Sequence, residues 1–245
     1  MRDAAIRTSG LSKSYNGKEA LADLDLTVEA GEIFGLIGHN GAGKTTTVNL
    51  LTTLITPTRG SALIDGVDIA VDPDEVRRSI GYLPENVQFY DNLTTLENLR
   101  FFGRLSGVRK PDARIAEVLE YLDFTGHEKE RLGGFSKGMR QRIGIAQAIL
   151  HRPRTLFLDE PTSGLDPQGV RTLRDIIIGL NRDLGMTVFM NTHLLSEVTI
   201  TCTSIGILRH GTLAYQASLE ATLQAFPGQS SLEDIYFDLE SAGTR

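Results

Sequence analysis

Hydrophobic residues recur along this chain with two different periods, and the change of period separates strand-like from helix-like segments. Apolar and polar residues alternate over residues 20–28, which predicts a half-buried strand. Short continuous apolar runs over residues 32–37, 155–158 and 186–190 are typical of strands buried on both faces. Because helical segments separate these runs, the pattern predicts an α/β fold with a largely parallel sheet.

The segment from about residue 94 to 150 has a helical period instead. Thr94, followed three residues later by Glu97, predicts a capping box at the start of the first helix. We therefore expect a helical block inserted between strands of the α/β core. The apolar faces of its three predicted helices are formed by Leu96, Leu99 and Phe102, by Ile115, Val118, Leu119 and Leu122, and by Met139, Ile143, Ala146 and Leu150.

Two further helices are predicted from their N-terminal residues. Asp166 and Pro167 provide an N-cap and a proline at the first helical position. Ser230 and Glu233 predict the cap of a last helix, within a tail of mixed helix and loop that follows residue 217.

Composition narrows the class of protein. The 245 residues suit one large domain or a core with an insert. The net charge is −6, whereas nucleic-acid-binding domains are typically basic, so we expect no nucleic-acid partner. A single cysteine, Cys202, excludes an intramolecular disulfide. The chain has neither an apolar run of about 18 residues nor an N-terminal signal region, which predicts an intracellular protein that does not cross a membrane by itself.

A glycine-rich motif follows the apolar run at 32–37 and precedes a predicted helix over residues 46–54. Two glycines four residues apart, then Lys44 and Thr45, form the P-loop pattern, in which backbone N–H groups bind phosphate oxygens. Lys44 is expected to reach the β- and γ-phosphates, and the Thr45 hydroxyl to bind Mg²⁺. The motif predicts binding of a nucleoside triphosphate. The predicted binding residues are Gly38, His39 (through its backbone), Asn40, Gly41, Ala42, Gly43, Lys44, Thr45 and Thr46.

Two carboxylates end the apolar run at 155–158. An acidic residue in the position of Asp159 holds Mg²⁺ in P-loop proteins, directly or through water. Glu160 follows at once and is expected to face the γ-phosphate, where a carboxylate can deprotonate a water molecule.

Further motifs carry a family resemblance. Residues 135–142 (Phe-Ser-Lys-Gly-Met-Arg-Gln-Arg) precede a predicted helix, residues 163–166 read Ser-Gly-Leu-Asp, and His193 follows a buried strand. Tyr15 lies upstream of the P-loop, and residues 81–85 read Gly-Tyr-Leu-Pro-Glu. These motifs resemble those of the nucleotide-binding subunit of ABC transporters. Residues 135–142 resemble its signature, residues 163–166 its D-loop and residues 81–85 its Q-loop. His193 resembles its switch histidine, and Tyr15 the aromatic residue that stacks on adenine.

The resemblance extends from about Ile6 to Leu213 and implies a fold. That fold is a P-loop NTPase (RecA-like) core with a mostly parallel sheet, an N-terminal antiparallel β region and an inserted α-helical subdomain. It implies an ATP-binding domain over residues 1–217, with its core at about 1–88 and 152–217. The helical signature subdomain would span about 89–151, and residues 218–245 would form a short tail.

The resemblance also implies a mechanism. Two subunits pair head to tail as a homodimer, with ATP between the P-loop of one and the signature of the other. Ser136 and Gly138 would bind the partner's ATP, Asp166 would act across the interface, and Tyr15 would stack on adenine. Glu160, His193 and Lys44 would be the catalytic residues, and Thr45, Asp159 and Glu85 would bind Mg²⁺. ATP hydrolysis would move a separate transmembrane permease, with this chain peripheral at the cytoplasmic face of the membrane.

Four positions depart from the commonest family pattern. Glu85 replaces the usual Gln, and in the signature Phe135, Lys137 and Met139 replace Leu, Gly and Gln. These features resemble the branch that serves type-2 exporters, including drug-resistance, sodium and copper-related systems. For Lys137 we favour a solvent-facing side chain over a contact with the nucleotide.

Two other functions stay open. A soluble ABC-type ATPase that acts on DNA, ribosomes or metal-cluster assembly is the main alternative. An unrelated P-loop kinase or GTPase is disfavoured by the signature before Asp159, and the chain has no guanine-reading Asn-Lys-x-Asp motif.

Overall fold

The computed structural model describes residues 4–226 and 231–241. Two sheets and the helices around them make up this part of the chain. In chain order the elements are β1 (Ala4–Tyr15), β2 (Lys18–Leu24), β3 (Thr27–Glu29), β4 (Ile33–Ile37), α1 (Lys44–Leu51), β5 (Arg59–Ile64), β6 (Val67–Asp68), α2 (Pro73–Ser79), β7 (Ile80–Leu83), α3 (Thr95–Leu105), α4 (Pro111–Tyr121), a 3₁₀ turn (Leu132–Gly134), α5 (Lys137–Ile149), β8 (Thr155–Asp159), α6 (Pro167–Leu184), β9 (Thr187–Thr192), α7 (Leu195–Thr201), β10 (Ser204–Arg209), β11 (Thr212–Ser218), α8 (Leu219–Ala225) and α9 (Leu232–Ser241).

The N-terminal sheet is antiparallel. Its first strand, β1, pairs with β2, β3 and β5, and β5 pairs with β6. The single strand predicted over residues 20–28 is wrong in detail, because the chain breaks it into β2 and β3. Residues 25 and 26 lie between the two strands, and Asp23, the next-to-last residue of β2, has a left-handed φ of 45° where the pairing of β2 with β1 is irregular. Leu24, Leu26 and Val28 are all buried, so the alternation continues across the break.

The second sheet is six-stranded, in the order β11-β10-β4-β9-β8-β7. All its pairs are parallel except β10 with β11. All residues of β4, β8 and β9 are buried, which confirms the three predicted buried strands. The α/β class with an antiparallel N-terminal region is confirmed as well.

Alternate residues of the parallel strands enter two different cores. Phe34, Phe157 and Phe189 lie on the face that packs against the N-terminal sheet and α1, with ring centroids 5.3 and 5.4 Å apart. Leu156 and Val188 lie on the opposite face, in the core shared with the helical block. The parallel sheet is therefore the middle layer of the molecule.

The helical block lies between β7 and β8 as α3, α4 and α5. The capping box at Thr94 and Glu97 is confirmed, since the Thr94 hydroxyl accepts from the Glu97 N–H and the Glu97 carboxylate accepts from the Thr94 N–H. The central residues of all three predicted apolar faces are buried, while Leu96, Phe102 and Met139 are only partly buried.

Other helix ends differ from prediction by a few residues. The helix after the P-loop begins at Lys44 and ends at Leu51, earlier than the predicted 46–54. The start of α6 at Pro167, capped by Asp166, is confirmed. Ser230 lies outside the described residues, and it is the Ser231 side chain that accepts from the Asp234 N–H. Among the described helices, none is both long and apolar enough to cross a membrane.

Candidate functional site

The loop between β4 and α1 depends on glycine at two positions. A Cβ at Gly38 would lie inside contact distance of the Leu208 carbonyl oxygen. A Cβ at Gly43 would lie 2.7 Å from the Ala20 carbonyl oxygen, and Gly43 has a φ of 109°. Only glycine fits both the space and the left-handed backbone. The loop leads directly into the N-terminus of α1, where the first N–H groups of the helix have no partner within it and can bind phosphate.

Lys44 is buried at the start of α1, and its ammonium group folds over the loop. Its Nζ donates to the Gly38 carbonyl at 2.6 Å and to the His39 carbonyl at 3.3 Å. Burial lowers the pKa of Lys44, while the negative charges of Glu160 and Asp159 oppose that shift. The ammonium is thus held near two carboxylates by the loop's own carbonyls.

Asp159 ends β8 and is held by a residue of the neighbouring strand β9. Register places Asn191 directly beside Asp159, and the Asn191 amide donates to the Asp159 carboxylate at 2.8 Å. The Asn191 side-chain oxygen accepts from the Glu160 N–H at 3.0 Å. Burial raises the pKa of Asp159; the Asn191 hydrogen bond lowers it, and the charges of Glu85 and Glu160 raise it further. Asn191 therefore fixes the positions of both Asp159 and the Glu160 backbone.

Glu160 follows Asp159 with a φ of 47°, uncommon for a residue other than glycine. Its carboxylate oxygen Oε2 lies 2.8 Å from His193 Nδ1. The Glu160 side chain is only 13% exposed, whereas that of His193 is 50% exposed. The pair joins the ends of β8 and β9 and leaves the imidazole open to solvent.

These groups surround one cleft of about 500 Å³ at the carboxyl ends of the parallel strands. Most of the predicted catalytic and P-loop residues line this cleft, together with Glu85 from the loop after β7. The lining residues are Ala20, Asn40, Gly41, Gly43, Lys44, Thr45, Thr46, Glu85, Glu160 and His193. Asp159 and the loop residue Ala42 are buried and do not line the cleft. A cleft at the carboxyl ends of parallel strands is where α/β proteins bind their ligands.

The imidazole of His39 is turned toward its own loop and the β10–β11 turn. Its Nδ1 lies 2.8 Å from the Asn40 carbonyl oxygen, and its ring centroid is 5.0 Å from that of His210. It does not line the cleft.

Besides Gly38, His39 and Ala42 of the P-loop, the four predicted binding residues from other motifs lie outside the cleft lining. Tyr15 is half-exposed at the end of β1, with the Lys13 ammonium 5.3 Å from its ring centroid. Ser136 caps α5 by accepting from the Met139 N–H at 3.3 Å, and Gly138 lies in the first turn of that helix. Asp166 caps α6.

The Lys137 side chain is exposed and lies beside the D-loop motif. Its Nζ lies 3.0 Å from where a Cβ of Gly164 would stand. The signature and the D-loop motif are therefore in contact within one chain.

Asn191 is the site residue that the sequence reasoning missed. It is fully buried and stands in Met-Asn-Thr-His at the end of an apolar run. A polar residue at the end of a buried parallel strand was the available signal, because such a residue faces the same sheet edge as the P-loop.

Comparison with known proteins adds family membership to this geometry. The ABC transporter family profile matches residues 21–163. The chain belongs to the ABC transporter family. The resemblance read from the motifs is thereby confirmed, and the P-loop NTPase core with it.

Among curated relatives of this ABC protein is the bacitracin transport ATP-binding protein BcrA of Bacillus licheniformis. It is 42% identical over 85% of this chain and 68% of that protein. The daunorubicin/doxorubicin resistance ATP-binding protein DrrA of Streptomyces peucetius is 42% identical over 84% of this chain and 63% of that protein.

Solved structures agree. One described as an ATP-binding subunit of an ABC transporter has a TM-score of 0.85 and 31% identity, covering 96% of this chain and 99% of the other. A dimeric post-hydrolysis state of the ATP-binding cassette MJ0796, bound to ADP and Pi, has a TM-score of 0.78 and 26% identity, covering 87% and 98%. This ABC protein is an ATP-binding subunit and an ATPase.

Proposed function

We propose that this chain is the motor subunit of an exporter, in which two copies pair head to tail around ATP and drive a separate permease. One observation carries the proposal: the P-loop, Glu160 and His193 share a cleft that Ser136 and Gly138 of the same chain do not line. A second copy would bring its signature to that cleft and complete it. The dimeric neighbour bound to ADP and Pi supports this arrangement.

The nucleotide would be held mainly by the backbone of residues 38–46. The N–H groups at the start of α1 and the Lys44 ammonium would bind the β- and γ-phosphates. Tyr15 would stack on adenine, since its ring is half-exposed on the hairpin that carries Ala20 to the cleft.

The donor set suits Mg²⁺. Glu85 and the exposed Thr45 line the cleft, and the Asp159 carboxylate is close enough for the charge of Glu85 to raise its pKa. Hard oxygen ligands of this kind are those that Mg²⁺ prefers beside phosphates. Thr45, Asp159 and Glu85 would therefore hold the ion, which when bound neutralises charge on the phosphates. Glu85, in place of the usual Gln, adds one negative charge to the set.

Glu160 would act as the general base. Its carboxylate is largely buried and held by His193, and its backbone is fixed by Asn191. In this position it can accept a proton from a water molecule near the γ-phosphate, while His193 positions that water. The partner's Ser136 hydroxyl and Gly138 N–H, at the start of a helix, would donate to the γ-phosphate from the other side. Asp166 would carry the state of one site to the other.

The permease would contact an exposed apolar patch beside the Glu85 loop. Tyr90 and Phe101 pack edge to face with ring centroids 5.3 Å apart, and both are about half exposed. Leu105, on the same helix as Phe101, is 76% exposed. Exposed apolar patches mark protein partners. This chain would then lie peripherally at the cytoplasmic face of the membrane, and the names of BcrA and DrrA support export.

The division into an ATP-binding domain over residues 1–217 and a tail over 218–245 also belongs to the proposal. Its helical subdomain, at about 89–151, would move against a core of about 1–88 and 152–217. The insertion of α3–α5 between β7 and β8 supports this division.

The test of the catalytic assignment is Glu160→Gln. We expect it to retain ATP binding, to lose about 10²–10⁴-fold in ATP hydrolysis, and to accumulate as an ATP-bound dimer in size-exclusion chromatography. Glu120→Gln, at an exposed carboxylate on α4, is the matched control and should hydrolyse ATP normally. Normal turnover in Glu160→Gln would remove Glu160 from the mechanism.

The permease is tested by capturing the tagged chain from solubilised membranes. Recovery of a polytopic membrane protein is the expected result. Recovery of ribosomes or DNA instead would favour the soluble ATPase alternative.

A further inference from the structure

A second and larger cleft, of about 910 Å³, lies at the end of the parallel sheet opposite the P-loop. Thr155 and Thr187, the first residues of β8 and β9, line it. Its walls include the start of β1, the end of β5 and the turn after it, the α4 helix of the helical block, the segment between α5 and β8, and the turn between α6 and β9. A pocket of this size accommodates a small organic molecule.

One carboxylate of this cleft is already neutralised. Glu117 on α4 pairs with Arg114 at 2.7 Å and with Arg152 at 3.2 Å. Arg114 also donates to the Ile149 and Leu150 carbonyls at the end of α5. These two arginines therefore have structural partners.

The other two arginines of the cleft do not. Within residues 4–226 and 231–241, the side chains of Arg7 and Arg154 make no hydrogen bond or ion pair. The remaining carboxyl, Asp65, accepts from the Thr155 hydroxyl at 3.3 Å; burial raises its pKa, while that hydrogen bond and the nearby charge of Arg154 lower it. The cleft thus presents two guanidinium groups whose N–H donors have no hydrogen-bond acceptor in the described residues, with Arg154 near the Asp65 carboxyl, on a protein whose net charge is −6. Guanidinium groups bind phosphate and carboxylate through paired N–H donors.

The wall beside these arginines is apolar. Leu63 and Leu184 keep 37% and 53% of their surface exposed, and Met186 and Pro153 complete the surface. An inorganic anion would use the arginines and leave this wall in water. A ligand that carries an apolar body would bury it, at about 25 cal/mol per Å² removed from water.

We propose that this cleft binds a small organic anion, with its phosphate or carboxylate on Arg7 and Arg154 and its apolar body against Leu63 and Leu184. Because α4 and the β-strand core both form walls, the bound anion would join the helical block to the core. None of the residues that line this cleft lines the ATP cleft, and the evidence for it does not depend on the proposed transport role.

Binding is tested by calorimetry on the full chain with 1-naphthyl phosphate, 1-naphthoate, 1-naphthol and inorganic phosphate. Saturating ADP and Mg²⁺ are present throughout to fill the P-loop. At least one naphthyl anion should bind about tenfold or more tighter than both 1-naphthol and inorganic phosphate. The ranking of the two naphthyl anions distinguishes a phosphate site from a carboxylate site.

Variants then locate the site. Arg7→Gln and Arg154→Gln should each weaken the preferred anion by about tenfold or more, while Arg7→Lys and Arg154→Lys, which keep the charge but lose the fork, should have intermediate affinity. Arg109→Gln, at an exposed arginine between α3 and α4, is the control and should bind as the unaltered chain does. Thermal unfolding and ATP hydrolysis, measured on each variant, verify that it is folded.

Three results would each overturn the proposal. The first is that the anions bind no tighter than 1-naphthol. The second is that the glutamine variants of Arg7 and Arg154 bind the anion as Arg109→Gln does. The third is that raising the ADP concentration displaces the anion. None of these results would affect the assignment of Glu160.

Discussion

Replacing Asn191 by Ala tests whether this residue orients the two acidic groups of the ATP site. The change removes the amide that donates to Asp159 at 2.8 Å and the side-chain oxygen that accepts from the Glu160 N–H at 3.0 Å. The Glu160 N–H keeps a second acceptor, the main-chain carbonyl of residue 191 at 3.1 Å. No donor is left unpaired, so the main loss is one hydrogen bond to a carboxylate.

The loss of this hydrogen bond determines how much the free energy of unfolding should fall. A hydrogen bond to a charged group contributes about 1.5–3 kcal/mol to the free energy of unfolding. In a chain of this size each kcal/mol shifts the midpoint of thermal unfolding by about 2–4 °C, so Asn191→Ala should lower it by roughly 3–12 °C. Asp159 would also lose its fixed orientation. Loss of a residue that orients a metal ligand costs about 10–100-fold in activity, and with Asp159 as the proposed Mg²⁺ ligand we expect that decrease in ATP hydrolysis.

The assay combines thermal unfolding of the nucleotide-free chain with ATP hydrolysis at several Mg²⁺ concentrations. Asn191→Asp is the informative comparison, because it keeps the shape but sets a third carboxylate against Asp159 and Glu160. It should be less stable than Asn191→Ala at pH 7. Asn92→Ala, at an exposed loop residue, is the control. If Asn191→Ala unfolds and hydrolyses ATP like Asn92→Ala, the orienting role is refuted.

Three further predictions concern other parts of the fold. Gly38→Ala should abolish ATP binding and lower the free energy of unfolding by about 1–3 kcal/mol, because the new methyl would overlap a backbone carbonyl. Gly134→Ala, with open space around it, is the control and should have the same unfolding midpoint as the unaltered chain in calorimetry. Burial lowers the pKa of His151, whose Nε2 hydrogen-bonds the Ile80 carbonyl and whose buried Nδ1 has no partner in the described chain. The unfolded chain then binds a proton more readily, so stability should fall as the pH drops below 6.5, and His151→Gln should flatten that part of a denaturation series. Burial raises the pKa of Cys202 to about 12, so iodoacetamide should label it only after denaturation, as read by mass spectrometry; rapid labelling of the native chain would contradict its placement.

Local chemistry made much of the fold predictable. The Thr94 capping box and the Asp166–Pro167 start each depend on residues within one turn of the chain, so the sequence alone locates them. The P-loop motif is equally local along the chain, although the atoms that leave no room for a side chain at Gly38 and Gly43 belong to the distant residues Leu208 and Ala20.

Features that depend on register were not predictable. Asn191 meets Asp159 only because β8 and β9 pair in parallel with these two residues side by side, and 32 positions separate them in the chain. The break between β2 and β3 is hidden for a related reason. Both strands pair with β1, so Leu24, Leu26 and Val28 keep alternating although the strand has ended.

The position of β4 within the parallel sheet has a consequence for how the protein is made. Its two sheet neighbours, β9 and β10, begin at Thr187 and Ser204, about 150 residues after β4 ends at Ile37. At a synthesis rate of about 5–20 residues per second, the ribosome takes roughly 8–30 s to produce the first of them. During that interval the strand that precedes the P-loop has no partner for its backbone and exposes apolar side chains, which makes the nascent chain a substrate for chaperones.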